Sequence, residues 1–291
     1  MTRLGASLLS TPAAVAAIAL CGGLDLQPAA AVTPGAELAS HRAVYELQLA
    51  HSRGTSSTMA ARGRILYDFS GNACDGYALQ LRQVSELDNG EGRVTLSDLR
   101  STTWEDGGAR RFVYRSQNFL NQSLVDTVEG EAEREVDKVA VSLSKPTDKK
   151  FDLESATSFP TGHMRRIIDA ARGGHTLLEL PIYDGSDKGE KVYNTLSVIG
   201  RAIEPGERVP TDAAAGQHAL AGLKRWPVTV SYFDKTATGG DATPIYSIKF
   251  EVYENGISRA LVLDYNDFAI SGELTSLAIR ETKPCADDAP R

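Results

Sequence analysis

From Tyr45 onward, apolar side chains recur at every second position in run after run of this chain, and that beat restricts those runs to strands with one buried and one solvated face. Tyr45, Leu47 and Leu49 alternate with Val44, Glu46 and Gln48, and the same spacing returns in Ile65-Tyr67-Phe69, Tyr77-Leu79-Leu81 and Val139-Val141-Leu143. Later runs are stronger: Trp226-Val228-Val230-Tyr232, Tyr246-Ile248-Phe250-Val252 and Leu261-Leu263-Tyr265. Asn255-Gly256 separates the last two, and the pair predicts a tight hairpin with positive φ at both central positions of a type I′ turn. Asn266-Asp267 predicts a further turn, into a strand through Phe268 and Ile270 and on to Leu274 and Ile279. The expected fold is mainly β and antiparallel.

One segment departs from the beat. Met164, Ile167, Ile168 and Ala171 recur at intervals of three and four after Phe159-Pro160-Thr161, and Gly173-Gly174 closes the run. That spacing predicts one amphipathic helix over about 162–172. A short apolar stripe suits a helix that plugs or covers a curved sheet, with a lid over a ligand cavity as the sharper alternative. Lys145 to Lys150 and Pro205 to Gly222 read as loops, and Ala213-Ala214-Ala215 in the second is a candidate helical turn. No internal repeat or Pro-, Gly- or Ser-rich linker divides the chain.

The first 31 residues read as an export signal. Arg3 supplies a positive start, Leu4 to Leu20 are apolar or small, and Ala29-Ala30-Ala31 supplies small residues for cleavage after Ala31. An uncleaved membrane anchor fits less well, because Ser7, Ser10, Thr11 and Pro12 interrupt the run and Gly22-Gly23 follows it. Acylation of Cys21 would want a small residue where Leu20 stands. The reading that follows is a signal peptide over 1–31 and a single soluble periplasmic domain over 32–291. Cleavage removes Arg3 and Asp25, one of each sign, so the formal net charge stays at −7. That balance disfavours nucleic acid and anionic membrane surfaces as partners. No later segment is long and apolar enough for a spanning helix. Cleavage also removes Cys21, leaving Cys74 and Cys285. In an oxidising compartment an even count of two allows one disulfide, a structural clasp between the last residues and the first third of the chain.

Chemistry is harder to find. The chain has no G-x-S-x-G elbow, no H-E-x-x-H, no C-x-x-C and no Gly-rich phosphate loop after a strand. His41, His51, His163, His175 and His218 are dispersed, which favours structural histidines over a metal site. Asp184-Gly185-Ser186-Asp187-Lys188-Gly189-Glu190 gathers carboxylates, yet Ser186 and Lys188 occupy positions where a calcium loop places oxygen-rich side chains, so a solvated hairpin turn is expected. Asp264 and Asp267 flank Tyr265, a pairing that acid-base catalysis could use but that turn carboxylates more often make for backbone hydrogen bonding. No catalytic, cofactor-binding or metal residue is assigned, and no cofactor is expected.

Several stretches, taken in order, resemble one family. They are His41-Arg42-Ala43-Val44-Tyr45-Glu46-Leu47, Phe159-Pro160-Thr161, Asp184-Gly185-Ser186-Asp187, Val228-Thr229-Val230-Ser231-Tyr232-Phe233, and Tyr253-Glu254-Asn255-Gly256-Ile257-Ser258 followed by Leu263-Asp264-Tyr265. Together they resemble the EipB family of cell-envelope integrity proteins, over about residue 38 to Cys285. The resemblance implies a periplasmic protein of Gram-negative bacteria folded as a long antiparallel β-spiral, nearly closed like a barrel. It implies an internal disulfide at Cys74 and Cys285, and it carries over no catalytic residue. The leading expectation is a non-enzymatic protein that maintains the envelope by binding a component of it, either a lipid or lipoprotein acyl chain or a periplasmic protein partner. An envelope hydrolase acting on peptidoglycan or lipid, with Asp264 or Asp267 in play, is the alternative.

Overall fold

A computed structural model describes residues 36–53, 58–90, 92, 94–214, 216–235, 243–283 and 285. Residues 1–31, read above as an export signal cleaved after Ala31, and with them Cys21, lie outside the described residues. The described chain forms fourteen strands: β1 (His41–Ser52), β2 (Ala60–Asn72), β3 (Gly76–Asp88), β4 (Val94–Glu105), β5 (Arg111–Leu120), β6 (Ser123–Arg134), β7 (Lys138–Lys145), β8 (Lys149–Glu154), β9 (Leu177–Ile182), β10 (Tyr193–Ile199), β11 (Arg225–Asp234), β12 (Tyr246–Tyr253), β13 (Ser258–Asp264) and β14 (Phe268–Ile279). Helix α1 (Pro160–Arg172) lies between β8 and β9, and a short α2 (His218–Ala221) precedes β11.

All fourteen strands belong to one antiparallel sheet, ordered β8-β7-β6-β5-β4-β3-β2-β1-β14-β13-β12-β11-β10-β9. Two meanders therefore meet where β1 pairs with β14, His41 opposite Ile279 and Tyr45 opposite Leu274. The outermost strands, β8 and β9, do not pair, so the curved sheet stays open. An open edge invites foreign strands unless it is covered. Here the segment leading into α1 runs along β9: the Ser158 N–H donates to the Pro181 carbonyl at 2.8 Å and the Tyr183 N–H to the Ser158 carbonyl at 2.9 Å.

The buried face follows the period-two pattern. His41, Ala43, Tyr45 and Leu47 are buried along β1, as are Trp226, Val228, Val230 and Tyr232 along β11. Ile167, Ile168 and Ala171 of α1 pack with Phe69, Tyr77 and Val230 in one cluster. Phe112, Tyr114, Val128, Val139 and Val141 form another with Phe159 and Tyr183.

Two local features differ from the expectation. The helix begins at Pro160, two residues early, because a proline at its first position needs no hydrogen-bond partner and has φ preset. The β12–β13 hairpin has a longer loop in which Gly256 alone is left-handed, at φ 86°. Its Tyr253 carbonyl accepts from Gly256, while the Asn255 side chain caps the Ile257 N–H at 3.2 Å, which lets Ile257 bury completely. The 205–222 loop carries a helical turn at His218–Ala221, and Ala215 of the expected turn Ala213-Ala214-Ala215 lies outside the described residues.

Cys74, in the β2–β3 turn, is bonded to Cys285 beyond β14, with Cα atoms 5.7 Å apart and 211 residues between them in sequence. Asn72 binds the same two segments: its Oδ1 accepts from the Cys74 and Asp75 N–H groups at 2.8 and 2.7 Å, and its Nδ2 donates to the Lys283 carbonyl at 3.0 Å.

Candidate functional site: an uncharged cavity beneath helix α1

The sheet does not fill its own concavity. An internal cavity of about 310 Å³ lies between α1 and the inner faces of β1–β3 and β11–β13. Ile65, Tyr67, Phe69, Leu79 and Leu81 line one side, Val230, Tyr232, Ile248, Phe250 and Leu261 the other, and Pro160, Thr161, His163, Met164 and Ile167 of α1 cover it. No Lys, Arg, Asp or Glu is among the lining residues.

Several polar groups in and behind this wall are held by hydrogen bonds. The Thr195 hydroxyl donates to the Leu180 carbonyl at 2.7 Å, which leaves its oxygen to accept the His163 Nε2–H at 3.2 Å. His41 donates through Nδ1 to the Ala39 carbonyl at 2.8 Å, and its ring stacks on Tyr67 with centroids 5.5 Å apart. The Tyr45 hydroxyl donates to the Ser258 carbonyl at 2.8 Å. Burial, with the nearby Arg166 guanidinium adding to it, pushes His163 down to about 4. Burial also lowers His41, and pushes the Tyr67 and Tyr232 phenols up to about 12. Burial raises Tyr45 too, so near neutral pH both histidines and all three phenols in the wall are uncharged.

Helix α1 is seated by a carboxylate from the sheet. Glu105, at the end of β4 and only 2% exposed, accepts the Thr161 N–H through Oε2 and the Gly162 N–H through Oε1, each at 2.7 Å. These amides belong to the first turn, where a helix has no partners of its own. Burial raises Glu105 to about 7, although the amide hydrogen bonds pull the other way. The wall is completed by the strap before β1: Leu38 is buried against Gly256, the Ala39 N–H donates to the Asn255 carbonyl at 2.9 Å, and the Ala36 N–H donates to Asp169 Oδ1 at 3.0 Å.

The carboxylates singled out in the sequence lie elsewhere. Both oxygens of Asp264 are held by Arg53, at 2.7 and 2.9 Å, and that pairing keeps Asp264 below the usual carboxylate range. Asp267 is an exposed residue of the β13–β14 turn, its N–H donating to the Tyr265 carbonyl. Neither lines the cavity. The 184–190 loop joins β9 to the antiparallel β10 with Ser186, Asp187, Lys188 and Glu190 exposed, as the expected hairpin turn requires, but Gly185 and Gly189 are buried and press onto Tyr114 and Leu143, as only residues without side chains can. Its Asp187 and Glu190 face Lys191 and Lys149. Among the described residues no group of three or more His, Cys, Asp or Glu side chains is arranged to hold a metal ion. Glu105, His41 and His163 acquire their places only through the fold, since they come from three separate elements.

A long antiparallel sheet curled around an uncharged interior, with one helix across it, defines a barrel-like all-β protein with an internal cavity. The crystal structure of a β-barrel-like protein from Brucella abortus matches this chain with a TM-score of 0.79 at 34% sequence identity, covering 84% of this chain and 100% of that one. The cell envelope integrity protein EipB of Brucella abortus (strain 2308) is 35% identical over 254 residues, which is 87% of this chain and 89% of that one. The EipB-like family model matches residues 32–281, and the chain belongs to that family.

Proposed function

We propose that this protein maintains cell-envelope integrity from the periplasm, with no reaction of its own, by sheltering the acyl chain of an envelope lipid or lipoprotein in the cavity beneath α1. The observation that carries the reading is the cavity itself, about 310 Å³ of space in a wall without formal charge. Ligand sites run from about 300 to 1,000 Å³ and are mostly apolar with a few placed polar groups, so this one suits a single slender ligand. At roughly 30 Å³ per water-sized group, it takes about ten methylenes. A charged group would lose its hydration there without finding a counter-ion, whereas hydrocarbon gains about 0.8 kcal/mol per methylene buried. The name of the Brucella relative supports the envelope role, and the sequence reading of residues 1–31 supports export.

Titration with a dansyl-labelled fatty acid tests the reading. Saturable one-to-one binding is expected, lost in a Leu79→Trp, Ile248→Trp variant whose indoles occupy the space. Absence of saturable binding, or unchanged binding by the filled variant, contradicts it.

A further inference from the structure

The opposite side of α1 has another chemistry. An open cleft of about 490 Å³ lies between the β4–β5 turn, the end of β6 and the outer side of the helix. Three arginines line it: Arg134 from the sheet, and Arg165 and Arg166 from the helix. Most arginines of this chain face a carboxylate, as Arg82 and Arg100 face Asp98 and Arg225 and Arg259 face Glu251. Among the described residues, none of these three has a carboxylate within ion-pair distance.

Their hydrogen bonds go to backbone carbonyls instead. Arg134 donates to Ala109 at 3.1 Å, to Thr157 at 2.7 Å and to Ser155, and its guanidinium rests over the Phe159 ring at 5.3 Å. Arg165 donates one Nη1–H to Gly107 at 2.7 Å, while its Nε is buried with no partner. Arg166 is exposed and has no hydrogen bond or ion pair among the described residues. Two acidic groups are near. Glu105 is committed to the helix amides, and Asp169 on the cleft rim accepts from Ala36 through Oδ1. Burial, then repulsion from Arg166, lowers the Arg134 guanidinium, as like charges held close together do.

We propose that this cleft binds a phosphate-type oxyanion, carried either by a lipid headgroup or by a soluble phosphate compound. Guanidinium groups match phosphate oxygens in paired, charge-assisted hydrogen bonds, and the exposed Arg166 has its donors free to make them at the cleft that Arg134 and Arg165 also line. The proposal does not depend on the acyl-chain reading.

Calorimetric titration of the full chain with inorganic phosphate at low salt tests it, alongside an Arg165→Gln, Arg166→Gln variant and the single Arg166→Gln variant at the exposed position. Binding to the unaltered protein should weaken at least about tenfold in the double variant and measurably in the single one, with the single variant's melting curve and the dansyl-fatty-acid titration of both unchanged. Flotation with phosphatidylglycerol and with phosphatidylcholine vesicles separates the sources. Preferential binding to phosphatidylglycerol that the double variant loses supports a lipid headgroup, and phosphate binding without vesicle binding supports a soluble compound. No phosphate heat and no vesicle preference, or a folded double variant binding as tightly as the parent, would overturn the proposal.

Discussion

Glu105 Oε2 accepts the backbone N–H of Thr161 at 2.7 Å, so a carboxylate at the end of β4 fixes the first turn of the helix that covers the cavity. Two residues along α1, His163 meets the same buried environment with the opposite charge type. Their responses to pH are therefore opposed. Glu105 titrates at about 7 in the folded protein against an ordinary 4.5, so the fold binds extra protons in that window and loses stability as pH rises through it. His163 titrates at about 4 against an ordinary 6.5, so stability is lost as pH falls through that window.

Between about pH 4.5 and 6.5 the two contributions offset each other, each with a slope of up to about 1.4 kcal/mol per pH unit. Relative to the parent, Glu105→Gln should then gain stability as pH rises across that window and His163→Gln should lose it. Urea unfolding at several pH values reads both slopes, and two variants that track the parent contradict the assignment. Glu105→Ala, which leaves two amides without an acceptor, should cost about 2–4 kcal/mol near pH 4.5, and less as pH rises through the window.

The Cys74–Cys285 bond ties the β2–β3 turn to the segment after β14, across 211 residues. In the chain-entropy model a loop of this length removes about 5 kcal/mol of unfolded-state freedom, and realised values are commonly about 2–4 kcal/mol. Replacing both cysteines by serine should lower the melting temperature by about 5–15 °C and speed proteolysis in oxidising buffer. A redox-inert clasp predicts that no other property changes, and an unchanged melting curve contradicts the clasp.

How much of this was legible depended on the inner face. Where that face is apolar, as along Tyr45-Leu47-Leu49 or Trp226-Val228-Val230, alternation marks the strand. Strands β4 to β6 leave a weaker trace, because Thr103 and Glu105 turn inward from β4 and the buried pair Phe112-x-Tyr114 of β5 is too short a run to mark a strand. Strand β10 is hidden for the same reason, by Thr195 and Ser197. Periodicity is also blind to emptiness, since Leu79 and Ile248 would alternate identically around a packed core. Arg165 and Arg166 read as an ordinary polar helix face until Arg134, distant in sequence, is brought beside them.

Gly185 offers a test of the 184–190 loop. It sits at φ 73°, and an added Cβ would fall 2.4 Å from Tyr114 Cδ2, far inside contact distance. Gly185→Ala should destabilise the fold by about 1–3 kcal/mol through left-handed strain and displacement of the ring, read by thermal unfolding. A neutral substitution would show that the loop does not clamp Tyr114.

The claim that the cavity holds an acyl chain is tested most directly by native mass spectrometry of the protein purified from its own cells. The account predicts a bound apolar species, released on denaturation, identified as an acyl lipid after solvent extraction, and absent from the Leu79→Trp, Ile248→Trp variant. A mass equal to the polypeptide alone, in protein isolated under conditions that retain weakly held lipids, would contradict it.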